Sequence, residues 1–290
     1  MKRAYKVVDV FTKTPFTGNP VAVVLDAQGL DTQAMQAIAS WTNLSETTFV
    51  LPPQSAEADY RLRIFSPRSE LPFAGHPTLG SAHAVLEAGR AAPRNGQLVQ
   101  ECGVGLVGLK VNGSGGGRTL SFALPPAKQA ALSEADREEL EAILGVSVDR
   151  SASPMMIDVG PVWVVARVAS AEQLLALKPD FGRSVVFEQR LGATGISVFA
   201  PCAHGVGDIE VRSFATSQGG NEDPVCGSGN GSVAVFQHVH GLLPPGQSEY
   251  TATQGRCVGR TGQIAVHIGT EGAVEVGGQC VTTVEGSLAG

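Results

Sequence analysis

The sequence has little charge and no basic cluster. Only 17% of its 290 residues are charged, and 27 acidic against 21 basic residues give a formal net charge of −6. A mildly acidic chain without runs of Lys and Arg lacks the basic patch that nucleic acids and anionic membrane surfaces attract. No apolar run approaches the roughly 20 residues of a membrane-spanning helix. We therefore expect no nucleic-acid partner and no membrane partner.

Cysteine pairs, metal-ligand spacings and an export segment are also missing. The thiols are Cys102, Cys202, Cys226, Cys257 and Cys280. An odd number of scattered cysteines, none in a Cys-x-x-Cys pair, predicts reduced thiols and neither a disulfide framework nor a zinc site. The histidines add only the spacing His238-x-His240, so we expect no metal. The N-terminal residues carry no apolar export segment, and we expect a cytoplasmic protein.

Two similar glycine-rich stretches stand out. One runs from Glu70 to Ser81 (ELPFAGHPTLGS) and the other from Glu222 to Ser232 (EDPVCGSGNGS), each leading into an apolar run. Both share a Glu-x-Pro-x-x-Gly frame at one constant offset. An acidic residue, a proline and small residues before an apolar run predict a helix whose N-terminal N–H groups stay open to an anion. The sequence therefore predicts two binding points for a small carboxylate.

Other blocks repeat in the same order. Arg63 lies at the place that Arg212 occupies in the second half, and the segment Asn19–Val24 is similar to Gly160–Val165. The repeats predict an internal duplication, and the length suits two domains. We place these domains at residues 1–126 and 127–277, with 278–290 as a C-terminal segment that packs back on the first. The paired arginines are expected to bridge to neighbouring carboxylates and are left out of the candidate site.

The local patterns indicate an α+β protein. We expect each domain to be a curled, mostly antiparallel or mixed sheet around a central helix that follows its glycine-rich stretch. Another helix is predicted over residues 30–41, with Asp31 as its N-cap and an apolar stripe at Met35, Ile38 and Trp41. A further helix is predicted from Glu134 to Leu144, capped by Ser133.

These stretches together resemble the phenazine-biosynthesis isomerase (PhzF-like) family of the diaminopimelate epimerase superfamily. The resemblance covers nearly the whole chain and includes the motifs GNP at 18–20, NLSET at 43–47, FAGHPTLG at 73–80 and EDPVCGS at 222–228. It implies a diaminopimelate epimerase-like fold with the site between two similar domains. It also implies a homodimeric isomerase that needs no cofactor.

The resemblance assigns roles to residues of both halves. Glu46 matches the acid/base glutamate of the family, and His76 and Asp223 match residues that assist it. The expected substrate-binding residues are Asn19, Ser45, Gly75, Cys226, Gly227 and Ser228. From the sequence alone, Glu46 also suits an exposed strand-edge carboxylate, and His76 and Asp223 suit helix caps or turns.

Cys226 departs from the family pattern, which usually has a hydroxyl residue there. The epimerases of the superfamily carry a catalytic cysteine at this place and a second one in the other half, where this chain has Ala74. Racemisation by two thiols is therefore not expected. A thiol at a helix N-terminus is nevertheless expected to have a lowered pKa and to be reactive.

Three functions follow from these residues. The first is a cofactor-independent isomerase that shifts a proton on a small carboxylic acid, expected to be cyclic, by general acid/base catalysis. The second is an amino-acid or hydroxyproline-type epimerase or dehydratase that uses Cys226. The third is a non-catalytic protein that binds a small acid. The intact set of Glu46, His76 and Asp223 favours the first.

Overall fold

A computed structural model describes residues 2–202 and 207–289. The chain forms two compact units, of which the first comprises Met1–Phe122 with Gly277–Gly290 and the second comprises Ala123–Val276. In the described residues, no helix is both long enough and apolar enough to span a membrane.

The first unit contains nine strands and two α-helices within the described residues, and β9 of the second unit is given with them in chain order. They are β1 (Lys2–Val10), β2 (Asn19–Val24), α1 (Thr32–Thr42), β3 (Thr47–Leu51), β4 (Tyr60–Phe65), β5 (Glu70–Leu71), α2 (Gly75–Glu87), β6 (Gln97–Cys102), β7 (Gly105–Asn112), β8 (Thr119–Ala123), β9 (Lys128–Ala131, which belongs to the second unit) and the long final strand β17 (Val274–Ala289). Strands β2 and β3 are parallel, as are β4 and β6, and the neighbouring pairs β1–β2, β3–β4, β4–β5, β6–β7 and β7–β8 are antiparallel. Because β17 pairs with both β1 and β8, the strands form a closed, barrel-like circuit.

Helix α2 runs inside this circuit. Every residue from His76 to Leu86 is buried, so no face of this segment is exposed to solvent. A Cβ atom at Gly80 would lie 2.3 Å from Cγ1 of Val21 and 2.9 Å from Cγ2 of Val10. The small residues after the glycine-rich stretch therefore let the helix backbone approach β1 and β2 closely.

The second unit has four α-helices among its described strands. Beyond β9 it has α3 (Glu134–Leu144), β10 (Met155–Asp158), β11 (Val162–Arg167), α4 (Ala171–Ala176), α5 (Phe181–Leu191), β12 (Gly195–Pro201), β13 (Ile209–Ala215), β14 (Gly220–Asp223), α6 (Gly227–Val239), β15 (Glu249–Gln254) and β16 (Gly262–Ile268). Strands β11 and β12 are parallel, as are β13 and β15, and the pairs β9–β10, β10–β11, β12–β13, β13–β14 and β15–β16 are antiparallel. Helix α6 is buried from Gly229 to Gln237.

The predicted mixed sheets and sparse helices are confirmed, and so are two helix starts. Asp31 accepts a hydrogen bond from the N–H of Ala34, and Ser133 accepts one from the N–H of Asp136. The predicted burial of Trp41 is wrong, because its side chain is 76% exposed. Residues three apart on a helix differ in direction by about 60°. Two such steps separate Trp41 from Met35, so Trp41 points away from the core that Met35 contacts.

Candidate functional site

Helix α2 begins without a side-chain cap. Its N-cap residue is Ala74, whose methyl group cannot accept a hydrogen bond, and the backbone there is extended. The first N–H groups of a helix have no intrahelical partner, so those of Gly75 and His76 are available to a ligand. A Cβ atom at Gly75 would lie 2.9 Å from Cζ of Phe122, which explains the need for glycine at this position.

Glu46 and His76 meet at this helix start. The Oε2 atom of Glu46 lies 3.2 Å from Nε2 of His76, and the two side chains are 17% and 9% exposed. Glu46 directly precedes β3, and its backbone carbonyl accepts a hydrogen bond from the N–H of Ala22. Thus β2 and β3 hold the carboxyl group against a ring that is fixed on α2.

The His76 ring is neutral. Burial lowers the pKa of His76 to about 3 and outweighs a hydrogen bond with the Pro20 backbone, which acts in the opposite direction. A neutral imidazole carries one N–H, and since Nε2 faces Glu46, the hydrogen bond to the Pro20 carbonyl uses Nδ1. Nε2 is then an acceptor, and it faces the Oε2 atom of Glu46.

The two other candidate residues of the first unit, Asn19 and Ser45, both precede this pair in sequence. Asn19 begins β2 and is fully buried, and it immediately precedes the Pro20 carbonyl that contacts His76. Ser45 is exposed next to Glu46.

In the second unit, helix α6 begins at Gly227 with Cys226 as its N-cap. The Cys226 sulfur accepts a hydrogen bond from the N–H of Gly229 at 3.3 Å, and the Cys226 N–H donates to Oε1 of Gln254 at 3.1 Å. Nε2 of Gln254 donates to the backbone carbonyl of Asp223 at 2.9 Å. The buried Gln254 amide therefore ties β15 to the segment that leads into α6.

The predicted lowering of the Cys226 pKa is wrong. Burial raises the pKa of this thiol well above its usual range, and the negative charge of Asp223 adds to the increase. The N–H of Gly229 and the hydroxyl of Ser228 act in the opposite direction but do not compensate for burial. A helix N-terminus favours a thiolate only when that thiolate keeps enough solvation, and the side chain of Cys226 has almost none.

Asp223 ends β14 next to this thiol. Its Oδ1 accepts a hydrogen bond from the N–H of Val225 at 3.0 Å. Burial, together with the nearby charge of Glu222, raises the pKa of Asp223 to about 6, against the lowering effects of the Val225 N–H and the Cys226 thiol. A carboxyl group with this pKa exchanges protons near neutral pH.

The sequence analysis missed Trp163 as a partner of the site. Its indole Nε1 donates a hydrogen bond to Oγ of Ser228 at 3.0 Å. The apolar strand pattern around Trp163 predicts a core residue, and its side chain is buried. Nothing in the pattern distinguishes a core tryptophan from one that binds a site hydroxyl 65 residues away.

The predicted role of the paired arginines is confirmed. Arg63 binds Glu70 through two hydrogen bonds, and Arg212 binds Glu222 in the same two-point manner. Each guanidinium also lies over a phenylalanine ring of its own strand. These arginines are occupied by neighbouring carboxylates.

Two surface depressions of the first unit do not include the candidate residues. A depression of about 590 Å³ lies between α1 and the segment after β4, and another of about 430 Å³ lies beside Arg61 and Cys102. Within residues 2–202 and 207–289, no group of three or more His, Cys, Asp or Glu side chains is arranged to hold a metal ion.

Comparisons with known proteins agree with the sequence motifs. The model of the PhzC-PhzF family, described as phenazine biosynthesis-like protein, matches residues 8–286. Antisense-enhancing sequence 1 of Schizosaccharomyces pombe is 42% identical over 98% of this chain and 98% of its own length. The trans-2,3-dihydro-3-hydroxyanthranilate isomerase of Pseudomonas chlororaphis is 34% identical, again over 98% of both chains.

A solved structure shares the fold. The Bacillus anthracis phenazine biosynthesis protein of the PhzF family superposes with a TM-score of 0.88 over 100% of this chain and 99% of its own, at 23% sequence identity. Relatives named as isomerases align with nearly all of the chain, which confirms the prediction of an isomerase. This chain belongs to the PhzC-PhzF family of phenazine biosynthesis-like proteins.

Proposed function

We propose that this protein is a cofactor-independent isomerase that moves a proton on a small cyclic carboxylic acid, with Glu46 as the acid/base group. The observation that carries the proposal is the 3.2 Å contact between Glu46 and the neutral His76 at the open start of α2. Because several relatives are named trans-2,3-dihydro-3-hydroxyanthranilate isomerase, we propose a dihydroanthranilate-type acid as the substrate class.

The reaction needs one group that takes a proton from carbon and returns it to carbon. The Glu46 carboxylate removes a proton from a ring carbon, and the electrons of that C–H bond enter the conjugated system. The same carboxyl group then donates the proton to another carbon of that system, so atoms and charge balance. Nε2 of His76 accepts a hydrogen bond from the protonated form of Glu46 and so stabilises the intermediate state of the shuttle.

The negative charge that develops on the substrate needs stabilisation. The N–H groups at the start of α2, and those of α6 that precede the Gly229 N–H bound by Cys226, suit a carboxylate or an enolate-like oxygen. We propose that both helix starts bind the acid and that the chain consists of two duplicated, diaminopimelate epimerase-like domains. The matching order of strand pairings in the two units and the matching Arg–Glu pairs support the duplication.

The other candidate residues act on substrate binding and proton movement. Asp223 assists Glu46, since its raised pKa lets it carry a proton near neutrality. Asn19, Ser45, Gly75, Cys226, Gly227 and Ser228 are proposed to line the substrate. The proposal also includes domain boundaries at 126/127 and 277/278, a homodimer and a cytoplasmic location.

Proton NMR in D2O tests the function. The purified protein is incubated with dihydroanthranilate-type acids and with α-amino acids, including hydroxyproline, and deuterium incorporation is followed at each carbon. We expect exchange at a ring carbon that falls by about 10²–10⁴ in Glu46→Gln, since that is the usual contribution of a general acid/base. The matched variant Cys226→Ser is expected to retain most of the exchange.

Two outcomes would replace the proposal. Exchange at an α-carbon that is lost in Cys226→Ser and retained in Glu46→Gln would assign the site to an epimerase. Saturable binding of the acid without exchange in wild type would indicate a binding protein.

A further inference from the structure

Four side chains of the second unit form a continuous series of hydrogen bonds beside the start of α6. Nε1 of Trp163 lies 3.0 Å from Oγ of Ser228, which in turn lies 3.6 Å from Sγ of Cys226. The Cys226 thiol then hydrogen-bonds the side chain of Asp223. The series therefore connects a buried strand residue to a candidate catalytic carboxyl group.

The chemistry of the two ends sets the direction of the series. An indole N–H only donates, and an ionised carboxylate only accepts. The indole occupies one lone pair of Ser228, and since the thiol proton of Cys226 faces the Asp223 carboxylate, the Ser228 hydroxyl is the donor to the Cys226 sulfur. The single thiol proton of Cys226 is then directed at Asp223, while the sulfur also accepts the N–H of Gly229.

The donor end of the series is rigid. Trp163 is 2% exposed, and in the parallel pairing of β11 with β12 it lies opposite Gly195. A Cβ atom at Gly195 would lie 2.8 Å from Cζ3 of Trp163. The missing side chain of Gly195 thus makes room for the indole ring, and the tight packing fixes its N–H on Ser228.

We propose that Trp163 is a positioning residue for Asp223, acting through the Ser228 hydroxyl and the Cys226 thiol. This inference rests on the proposed function, in which Asp223 assists proton transfer. It gives Cys226 a role as a neutral hydrogen-bond donor that orients a carboxylate, in place of a nucleophile or a base. The N–H of Val225 and the thiol of Cys226 together hold Asp223 in one orientation.

The titration of Asp223 measures this coupling without any substrate. Protein labelled with ¹³C at the aspartate carboxyl carbons is titrated by NMR, and the Asp223→Asn spectrum identifies the Asp223 signal. The charged neighbours of this carboxyl group, Glu222 and its partner Arg212, are left unchanged. The variants are Trp163→Phe, Cys226→Ala and the size-matched Cys226→Ser.

In Trp163→Phe the ring remains but the indole donor is lost, so the Ser228 hydroxyl is no longer held in the orientation that donates to Cys226 and it competes with Asp223 for the thiol proton. We expect the pKa of Asp223 to rise by about one unit, a tenfold change in its proton affinity. Cys226→Ala is also expected to raise the pKa of Asp223. Cys226→Ser keeps a hydrogen-bond donor, so its Asp223 pKa is expected to equal the wild-type value or to be lower.

A purely structural role of Trp163 would leave the titration of Asp223 unchanged. Wild-type pKa values for Asp223 in both Trp163→Phe and Cys226→Ala would overturn the inference. If Trp163→Phe does not fold, Ser228→Ala breaks the series at its next member and has the same expected result. Failure of the deuterium exchange in wild type would refute the proposed function but would leave this titration to be decided on its own.

Discussion

The two matched Arg–Glu pairs predict a large difference in stability between two similar mutations. The pairs have the same two-point geometry, with 2.7 Å between Nη2 and Oε2 in each. The Arg212 and Glu222 side chains are 6% and 7% exposed, whereas those of Arg63 and Glu70 are 18% and 40% exposed. Burial is therefore the main difference between the pairs.

Glu222→Ala leaves the Arg212 guanidinium buried without its counter-ion. The carbonyls of Leu174 and Leu177 still accept hydrogen bonds from its Nη1, but they carry no full charge. Breaking a buried pair in this way costs about 3–5 kcal/mol. Glu70→Ala removes the exposed equivalent, which is worth about 0–1 kcal/mol.

Urea unfolding of both variants at low and high salt checks this reasoning. We expect the smaller loss in Glu70→Ala to shrink further in about 1 M NaCl, where the Debye length is only ~3 Å, and the loss in Glu222→Ala to persist. Adding Arg212→Met to Glu222→Ala is expected to restore part of the stability, because no unpaired charge remains. Equal losses of unfolding free energy in Glu222→Ala and Glu70→Ala would refute the conclusion that burial makes the Arg212–Glu222 pair the more important one.

Three further predictions concern other parts of the chain. Gly80→Ala is expected to lower the free energy of unfolding, because overpacking against Val21 costs about 1–3 kcal/mol and the gain in helix propensity is at most about 1 kcal/mol; urea unfolding checks it, and a more stable variant would contradict it. The pKa of Asp223 is about 6 in the folded protein against 3.8 ordinarily, so its ionised form destabilises the fold above pH 6. Asp223→Asn is therefore expected to be stabilising at pH 8 and to lose this advantage as the pH falls towards 4, and an advantage that does not change with pH would contradict the prediction. Trp41→Phe is expected to remove the red-shifted fluorescence of the exposed indole and leave the blue-shifted emission of Trp163, and an unchanged emission maximum would show that Trp41 is buried.

Local signals predicted the local structure well. The helix Glu134–Leu144 has the predicted bounds, and the side chains of Ser133 and Asp31 cap their helices as expected. A cap and its helix lie within a few residues of each other, so the sequence contains all of the interaction.

Helix α5 was missed because polar residues interrupt its apolar face, on which Phe187 packs into the core. Ser184 and Glu188 are both fully buried there. The Glu188 carboxylate accepts hydrogen bonds from the Ser184 hydroxyl and from the backbone N–H groups of Thr216 and Ser217. A hydrophobic period is weak where two of the inward positions are polar and are satisfied by a distant turn.

The contacts of the candidate site could not be predicted from local sequence patterns either. The resemblance supplied Glu46, His76 and Asp223, whose catalytic roles stay predictions. The contact between Glu46 and His76, the raised pKa of Cys226 and the hydrogen bond from Trp163 all depend on packing between distant segments. Burial of the thiol in particular reversed the direction that its position at a helix start had suggested.

The pairing of β17 with β1 and β8 imposes an order on biosynthesis. The second unit is contiguous, so a ribosome has delivered all of its residues before it reaches residue 277. Until β17 has been synthesised, the edges of β1 and β8 in the first unit lack the strand that pairs with both of them. Exposed edges recruit other strands, and a nascent or truncated chain that lacks residues 277–289 is therefore the form most in need of a chaperone.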